Sequence, residues 1–205
     1  MKKPGLILLG AGGHANSCID VIEQEGKFEI VGLLGLPEQQ NTICLGYPVI
    51  GTDIDLSILA QVHQYALIGV GQIKIKDHRI RLYKQVIQFG LQLPTIVAPS
   101  AYVSRFATLG VGNIVMHGAI IGPRANVGNN CIINNNALLE HDVTIADHCH
   151  VSTGAILNGN VKVGEGSFIG SGSVIREGVT IGSGCVVGMG LTVRHSLNDN
   201  CHFIG

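Results

Sequence analysis

An aliphatic residue stands at every sixth position from Val103 to Val193, sixteen in succession, and Val97 extends the series by one. A period of six matches neither the 3.6-residue turn of a helix nor the alternation of a hairpin strand. It is the hexapeptide signature of a parallel β-helix. A second column supports the phase. Two residues before most of these positions lies a small or medium side chain: Ala101, Ala107, Ala119, Ala125, Cys131, Ala137, Val143, Cys149, Ala155, Val161, Ser167, Ser173, Val179 and Cys185. Asn113 and Leu191 break this column. Residues two apart on a strand share a face, so both columns point inward. Gly often follows the aliphatic residue, as at Gly110, Gly122, Gly164 and Gly182, which predicts sharp corners there. Three strands per turn make a triangular prism of 18-residue coils, each burying its apolar column against its neighbours.

The first ninety residues read differently. Leu6–Leu9 is a short buried strand, Ser17–Glu25 a helix, Phe28–Leu34 and Ala66–Val70 further strands, and Lys76–Phe89 a second helix. Strands alternating with helices predict a small parallel α/β domain. The domains expected are therefore 1–95, Rossmann-like, and 96–205, all-β. Between the first strand and helix runs Gly10-Ala11-Gly12-Gly13-His14. Such a turn can cradle phosphate on backbone N–H groups at a helix N-terminus. A dinucleotide site or a tight turn without ligand are the alternatives. No acidic residue ends the second strand, where Gly35-Leu36 stands.

Charged residues make up only 13% of the 205, with a formal net charge of −1. No basic face points to nucleic acid, and aromatics for base stacking are few. The apolar run after Met1-Lys2-Lys3 is too short for a signal peptide, and no other run is long enough to insert in a membrane. A cytoplasmic protein is expected. Cys131, Cys149 and Cys185 lie on one inward column and read as small buried residues rather than disulfide partners.

His141 follows Leu139-Glu140 and precedes Asp142, just past a corner, pointing outward. One coil later stands Gly159. Adjacent coils lie roughly 4.8 Å apart, so His141 and a bare backbone N–H near Gly159 face one groove. That is the arrangement of a general base beside an oxyanion donor. Asp142 could hold the imidazole in one tautomer. A surface histidine in a polar turn is the alternative. His148 and His150 raise the possibility of zinc, but their spacing from His141 does not match that of metal-binding hexapeptide enzymes, and no metal is expected. Arg176 and Arg194 stack in one column, as phosphate or subunit contacts or as solvated corners.

The Gly10–His14 turn, Gly46-Tyr-Pro-Val-Ile-Gly51, Leu93-Pro-Thr-Ile-Val-Ala-Pro-Ser100, the Glu140-His-Asp stretch and hexapeptides to the end together resemble the bacterial sugar acetyltransferases of the NeuD/PglD type. The resemblance implies a left-handed β-helix, a homotrimer and an acetyl-CoA-dependent transfer to a sugar. It implies His141 as general base, Asp142 raising its basicity and Gly159 as oxyanion donor. His150, Ser171 and Met189 fall where acetyl-CoA is contacted between subunits. Gly12, Gly13 and His14 fall where nucleotide-sugar phosphates bind, and Asn134 near the acceptor sugar. The acceptor so implied is a UDP-linked 4-amino-deoxy sugar for surface glycan synthesis, with O-acetylation of a sialic-acid-like nonulosonic acid as the alternative. Three departures stand out. Ala15-Asn16 replaces Gly and a basic residue, Gly35-Leu36 replaces an acidic pair that helps hold the nucleotide, and Phe203-Ile-Gly205 stands where the family has Pro-Ala-Lys.

Overall fold

The structure is a computed structural model describing residues 3–72 and 77–205. The chain divides into two compact units, one of residues 3–71 and 77–96, the other of residues 97–205 with Gln72.

The first unit runs β1 (Gly5–Leu9), α1 (Gly13–Glu25), β2 (Glu29–Leu34), β3 (Ile43–Cys44), β4 (Tyr47–Gly51), α2 (Leu56–Leu59), β5 (Tyr65–Ile68) and α3 (Asp77–Gln88). The sheet order is β3-β4-β2-β1-β5. β1 pairs in parallel with β2 and β5, and its Leu6, Ile7, Leu8 and Leu9 are fully buried. A strand covered on both faces reads as a continuous apolar run, which is why it is legible in the sequence. α1 begins four residues before its expected start. Ala15 packs inward and the Asn16 N–H reaches the Gly12 carbonyl at 3.3 Å, so the turn itself becomes the first helical turn. The antiparallel hairpin β3–β4 was not expected. It carries Pro48 within its second strand, opposite Ile43 and one residue before the pairing of β4 with β2 begins at Val49, so the missing N–H removes no recognised bond to β2. The expected start of α3 at Lys76 lies outside the described residues.

The second unit is the coil. Eighteen two-residue strands, from Ile96–Val97 to His202–Phe203, form three parallel sheets of six, five and seven strands. Register advances by one 18-residue coil, as in Ile120↔Leu138 and Leu138↔Ile156. The aliphatic column from Val115 to Val193 is buried throughout.

The glycines that follow the aliphatic residues serve a purpose other than the one expected. Gly122, Gly164 and Gly170 do not have positive φ. A Cβ on them would lie 2.9 Å from Glu140 C, 2.4 Å from Ser183 N and 2.6 Å from Gly188 C, so they admit the next coil. The left-handed residue comes two positions later, at every sixth position from 112 to 190. There φ is positive, and from Arg124 on the N–H reaches back to the preceding coil, as in Asn136 N→His117 O at 2.9 Å and Gly154 N→Asn135 O at 2.9 Å. Gly, Asn and Asp tolerate this conformation best, and they fill the slot everywhere except at Arg124 and His148.

One prism edge is held by side chains. At most corners of the other two edges the corner carbonyl accepts the N–H three residues on, as in Ala137 N→Asn134 O at 3.1 Å. Between the five- and seven-stranded sheets an inward side chain takes over. Asn113 Nδ2 donates to Gly128 O at 2.8 Å, Cys131 Sγ to Ala146 O at 3.2 Å, Cys149 Sγ to Gly164 O at 3.2 Å, and Ser167 Oγ to Gly182 O at 2.8 Å. This explains the Asn113 exception. The cysteines are donors as well as small residues. A hydrogen bond with Cys131, reinforced by burial, holds the Cys149 thiol well above its ordinary pKa, so it remains a protonated donor. Cys149→Ala should lower stability by about 1 kcal/mol by orphaning a buried carbonyl. Cys149→Ser should retain most of it, as Ser167 does in the next coil. Thermal denaturation of the two variants tests this, and equal midpoints would refute it.

Candidate active site

His141 sits at the corner between the six- and five-stranded sheets, after the strand Leu138–Leu139 and before Thr144–Ile145. Backbone bonds stitch this corner to its neighbours: Asp142 N→Pro123 O at 3.1 Å below, and Asn160 N→His141 O at 3.0 Å above. The imidazole is 59% exposed, with Nδ1 2.7 Å from Asp142 Oδ2. Hydrogen bonds from Arg124, then from His141, hold the Asp142 carboxyl well below the usual carboxylate range. An ionised carboxylate only accepts, so Nδ1 carries a proton, and in the neutral ring it is Nε2 that presents the lone pair. Because the shift is downward, acidification through the ordinary carboxylate range should leave Asp142 ionised and its ion pairs intact. An NMR titration of its carboxyl carbon checks this, and protonation near pH 3.8 would refute it.

The ring lies against Gly159. A Cβ there would fall 2.6 Å from His141 Cε1 and Nε2. The Gly159 carbonyl accepts from Gly178 N at 3.0 Å, whereas among the described residues its N–H donates to nothing. His141, Asp142 and Gly159, expected together, are together. Arg124 was missed. It lies one coil before Asp142, and its guanidinium grips that carboxylate through Nε→Oδ1 at 2.6 Å and Nη2→Oδ2 at 2.8 Å. Coil arithmetic applied backwards from Asp142 would have found it.

A second group occupies a different edge, between the seven- and six-stranded sheets. His150 is buried, with Nδ1 2.6 Å from the Gln72 carbonyl and Nε2 3.3 Å from Asn134 Nδ2. Phe168 packs edge-on against its ring. Gln72, also missed, donates through Nε2 to the His148 carbonyl at 3.0 Å. Ser171 bonds Ser152 at 2.8 Å, and the Ser171 carbonyl takes the N–H of Gly190, beside Met189. Met189 is 81% exposed. His148 turns to Asn130 at 3.0 Å rather than toward His141 or His150.

In the first unit a cleft of about 330 Å³ is lined by Gly12, Gly13 and His14 with Leu34, Gly35, Gln39, Asp53 and His78 among others. α1 starts here without a side-chain cap or an acid in its first turn. A Cβ on Gly12 or Gly13 would meet nothing within 4 Å, so both leave open space over the helix end. A Cβ on Gly35 would lie 2.9 Å from Gln39 Oε1 and 3.0 Å from Val49 Cγ1, so an acid does not fit there as the loop stands. Gln39 closes that loop instead, accepting from Leu36 N at 2.9 Å and donating to Ala11 O at 3.1 Å. The carboxylate of this cleft is Asp53, 3.0 Å from His78 Nε2.

Comparison with known proteins agrees with both units. Residues 5–84 match the PglD N-terminal domain, and residues 160–195 the six-repeat bacterial transferase hexapeptide. Perosamine N-acetyltransferase from Caulobacter crescentus, solved as a variant of one histidine with CoA and GDP-perosamine, is 32% identical, with a TM-score of 0.89 over 95% of this chain and 90% of that one. The chain belongs to the PglD-type bacterial sugar acetyltransferases. As a member of that family it is an acetyl-CoA-dependent acetyltransferase, and its coil is the left-handed parallel β-helix. The acetyltransferase domain of PglB from Neisseria gonorrhoeae, solved with acetyl coenzyme A, is 29% identical with a TM-score of 0.88, over 97% of this chain and 95% of that one. WeeI from Acinetobacter baumannii, 19% identical over 92% of this chain and 94% of that one, shares the fold with a TM-score of 0.71. No curated protein matches the chain at significance. Among the described residues no helix is long and apolar enough to cross a membrane.

Proposed function

We propose that this acetyltransferase moves the acetyl group of acetyl-CoA onto the amino group of a nucleotide-linked 4-amino-deoxy sugar. The observation that carries the proposal is the Asp142–His141 pair with its ring against Gly159. His141 Nε2 takes the proton as the acceptor amine attacks the thioester carbonyl. The Gly159 N–H stabilises the oxyanion of the tetrahedral intermediate. His141 then returns the proton to the leaving CoA thiolate, and the C–S bond breaks as the C–N bond is kept. Cys131, Cys149 and Cys185 are buried, with their side chains turned to carbonyls inside the coil, which supports transfer directly from CoA to sugar.

Acetyl-CoA is proposed to lie along the coil between neighbouring copies of a cyclic homotrimer. His141 and the Asn134–His150 group occupy different edges of one prism. A head-to-tail ring sets one edge of a copy against another edge of the next, which would bring Ser171 and Met189 to the cofactor and Asn134 toward the acceptor. Gly12, Gly13 and His14 are proposed to hold the diphosphate at the N-terminus of α1. The relative solved with GDP-perosamine and the Gly35-Leu36 departure favour GDP over the UDP expected from sequence.

The test is thiol release from acetyl-CoA against GDP- and UDP-linked 4-amino sugars, free amino sugars and nonulosonic acids. Release with a nucleotide amino sugar, at least about tenfold above the free sugars, supports the proposal. Release with nonulosonic acids alone would overturn it in favour of O-acetylation.

A further inference from the structure

We propose that Arg124 is a positioning residue for the transfer: its fork fixes the Asp142 carboxylate and, through it, the tautomer and plane of the His141 ring. The proposal rests on the reading of His141 as the base.

Three observations carry it. The first is the slot. Arg124 occupies the left-handed corner position, at φ 59, that this coil gives elsewhere to Gly, Asn or Asp. Arg is a costly choice there, and the other exception, His148, is buried and bonded to Asn130. Arg124 has no such packing role, because its side chain is 74% exposed. The second is the geometry. Both carboxylate oxygens are engaged, Oδ1 by Nε at 2.6 Å and Oδ2 by Nη2 at 2.8 Å. A bidentate fork fixes the carboxylate plane, which a single hydrogen bond does not. The third is that Oδ2 also accepts from His141 Nδ1, at 2.7 Å. The atom that chooses the tautomer is therefore itself held by Arg124.

Asp142 also sits in a left-handed slot, at φ 62. Arg124 and Asp142 thus face one another across adjacent coils from equivalent corners, where the backbone is rigid and repeats. The charged neighbours on the His141 corner are Glu140 and Asp142, and the coil before adds Arg124. The coil after presents Asn158, Gly159 and Asn160 at the same corner. Of these groups, Arg124 is the one that bonds the carboxylate partner of His141. Without it, Asp142 is free to rotate toward water, and His141 can exchange its Nδ1–H tautomer for the Nε2–H form, which has no lone pair at the reacting nitrogen.

The experiment compares wild type with Arg124→Gly, Arg124→Lys and His141→Ala in the full chain. Gly suits the left-handed slot, so the fold is retained, and an unchanged thermal midpoint verifies it. Two readouts are taken: kcat and KM for both substrates, and the His141 tautomer from imidazole ¹⁵N shifts. Arg124→Gly is expected to lower kcat between about tenfold and a hundredfold with KM changed less than about twofold, and to replace a pure Nδ1–H tautomer with a mixture. Arg124→Lys, a point charge without the fork, is expected to recover only part of kcat. Wild-type kcat and a pure Nδ1–H tautomer in Arg124→Gly, alongside an inactive His141→Ala, would overturn the proposal. So would full recovery by Lys with an unchanged tautomer, which marks a charge effect alone. An active His141→Ala would instead remove the base reading, and the tautomer would still decide whether Arg124 orders the ring.

Discussion

His141→Ala is expected to lower turnover by about two to four orders of magnitude, the range for loss of a positioned general base. Its side chain is exposed and bonds Asp142 at the surface, so the variant should fold as wild type. On the proposed mechanism the loss falls on kcat, because the imidazole would act on the proton that moves in the transition state and not on the bound nucleotide. Thiol release at saturating acetyl-CoA measures it. Near-normal turnover would remove His141 from the mechanism and leave Gly159 and Asp142 as features of the corner alone.

Gly159→Ala should cost turnover about a hundredfold, on the scale of an ångström-sized displacement of a catalytic group. The backbone at residue 159 does not have positive φ, so alanine fits the chain conformation. What it does not fit is the ring. The added methyl carbon would lie 2.6 Å from both Cε1 and Nε2 of His141, and the exposed imidazole is the movable partner. The ring swings outward, Nε2 moves away from Gly159, and the proposed base and the proposed oxyanion donor separate. The thermal midpoint should hold within about 2 °C, since no buried group is lost. Unchanged kcat in a folded Gly159→Ala would show that the contact between ring and glycine has no part in catalysis.

The same coil explains what could and could not be read in advance. The His141–Asp142–Gly159 group was legible because a β-helix converts sequence distance into space by a single number. The same number would have reached Arg124, yet an arginine at a corner looks like any solvated surface residue. The glycines after the aliphatic residues looked like turn formers and serve as clearance for the next coil. The cysteine column looked like filler and donates to carbonyls at one edge. In each case the residue type was visible and its partner was not.

The first unit was less legible. Its central strand stood out because both faces are covered. The β3–β4 hairpin did not, since its first strand is only two residues long and Pro48 interrupts the second. Gln39 likewise acquires its role only when β2 and the Gly-rich turn come together, and Asp53 becomes the carboxylate of the cleft only beside His78.

By itself the sequence determined the parallel coil, its 18-residue register, its buried columns and the corner where His141 meets Gly159, because each of these follows from a repeat whose contacts are always one coil away. The tertiary structure alone decided which nitrogen of His141 is free, what grips Asp142, how one edge of the prism satisfies its carbonyls and why residue 35 has no room for a side chain. Those outcomes depend on side-chain torsions and on approaches shorter than 3 Å, which no periodicity encodes.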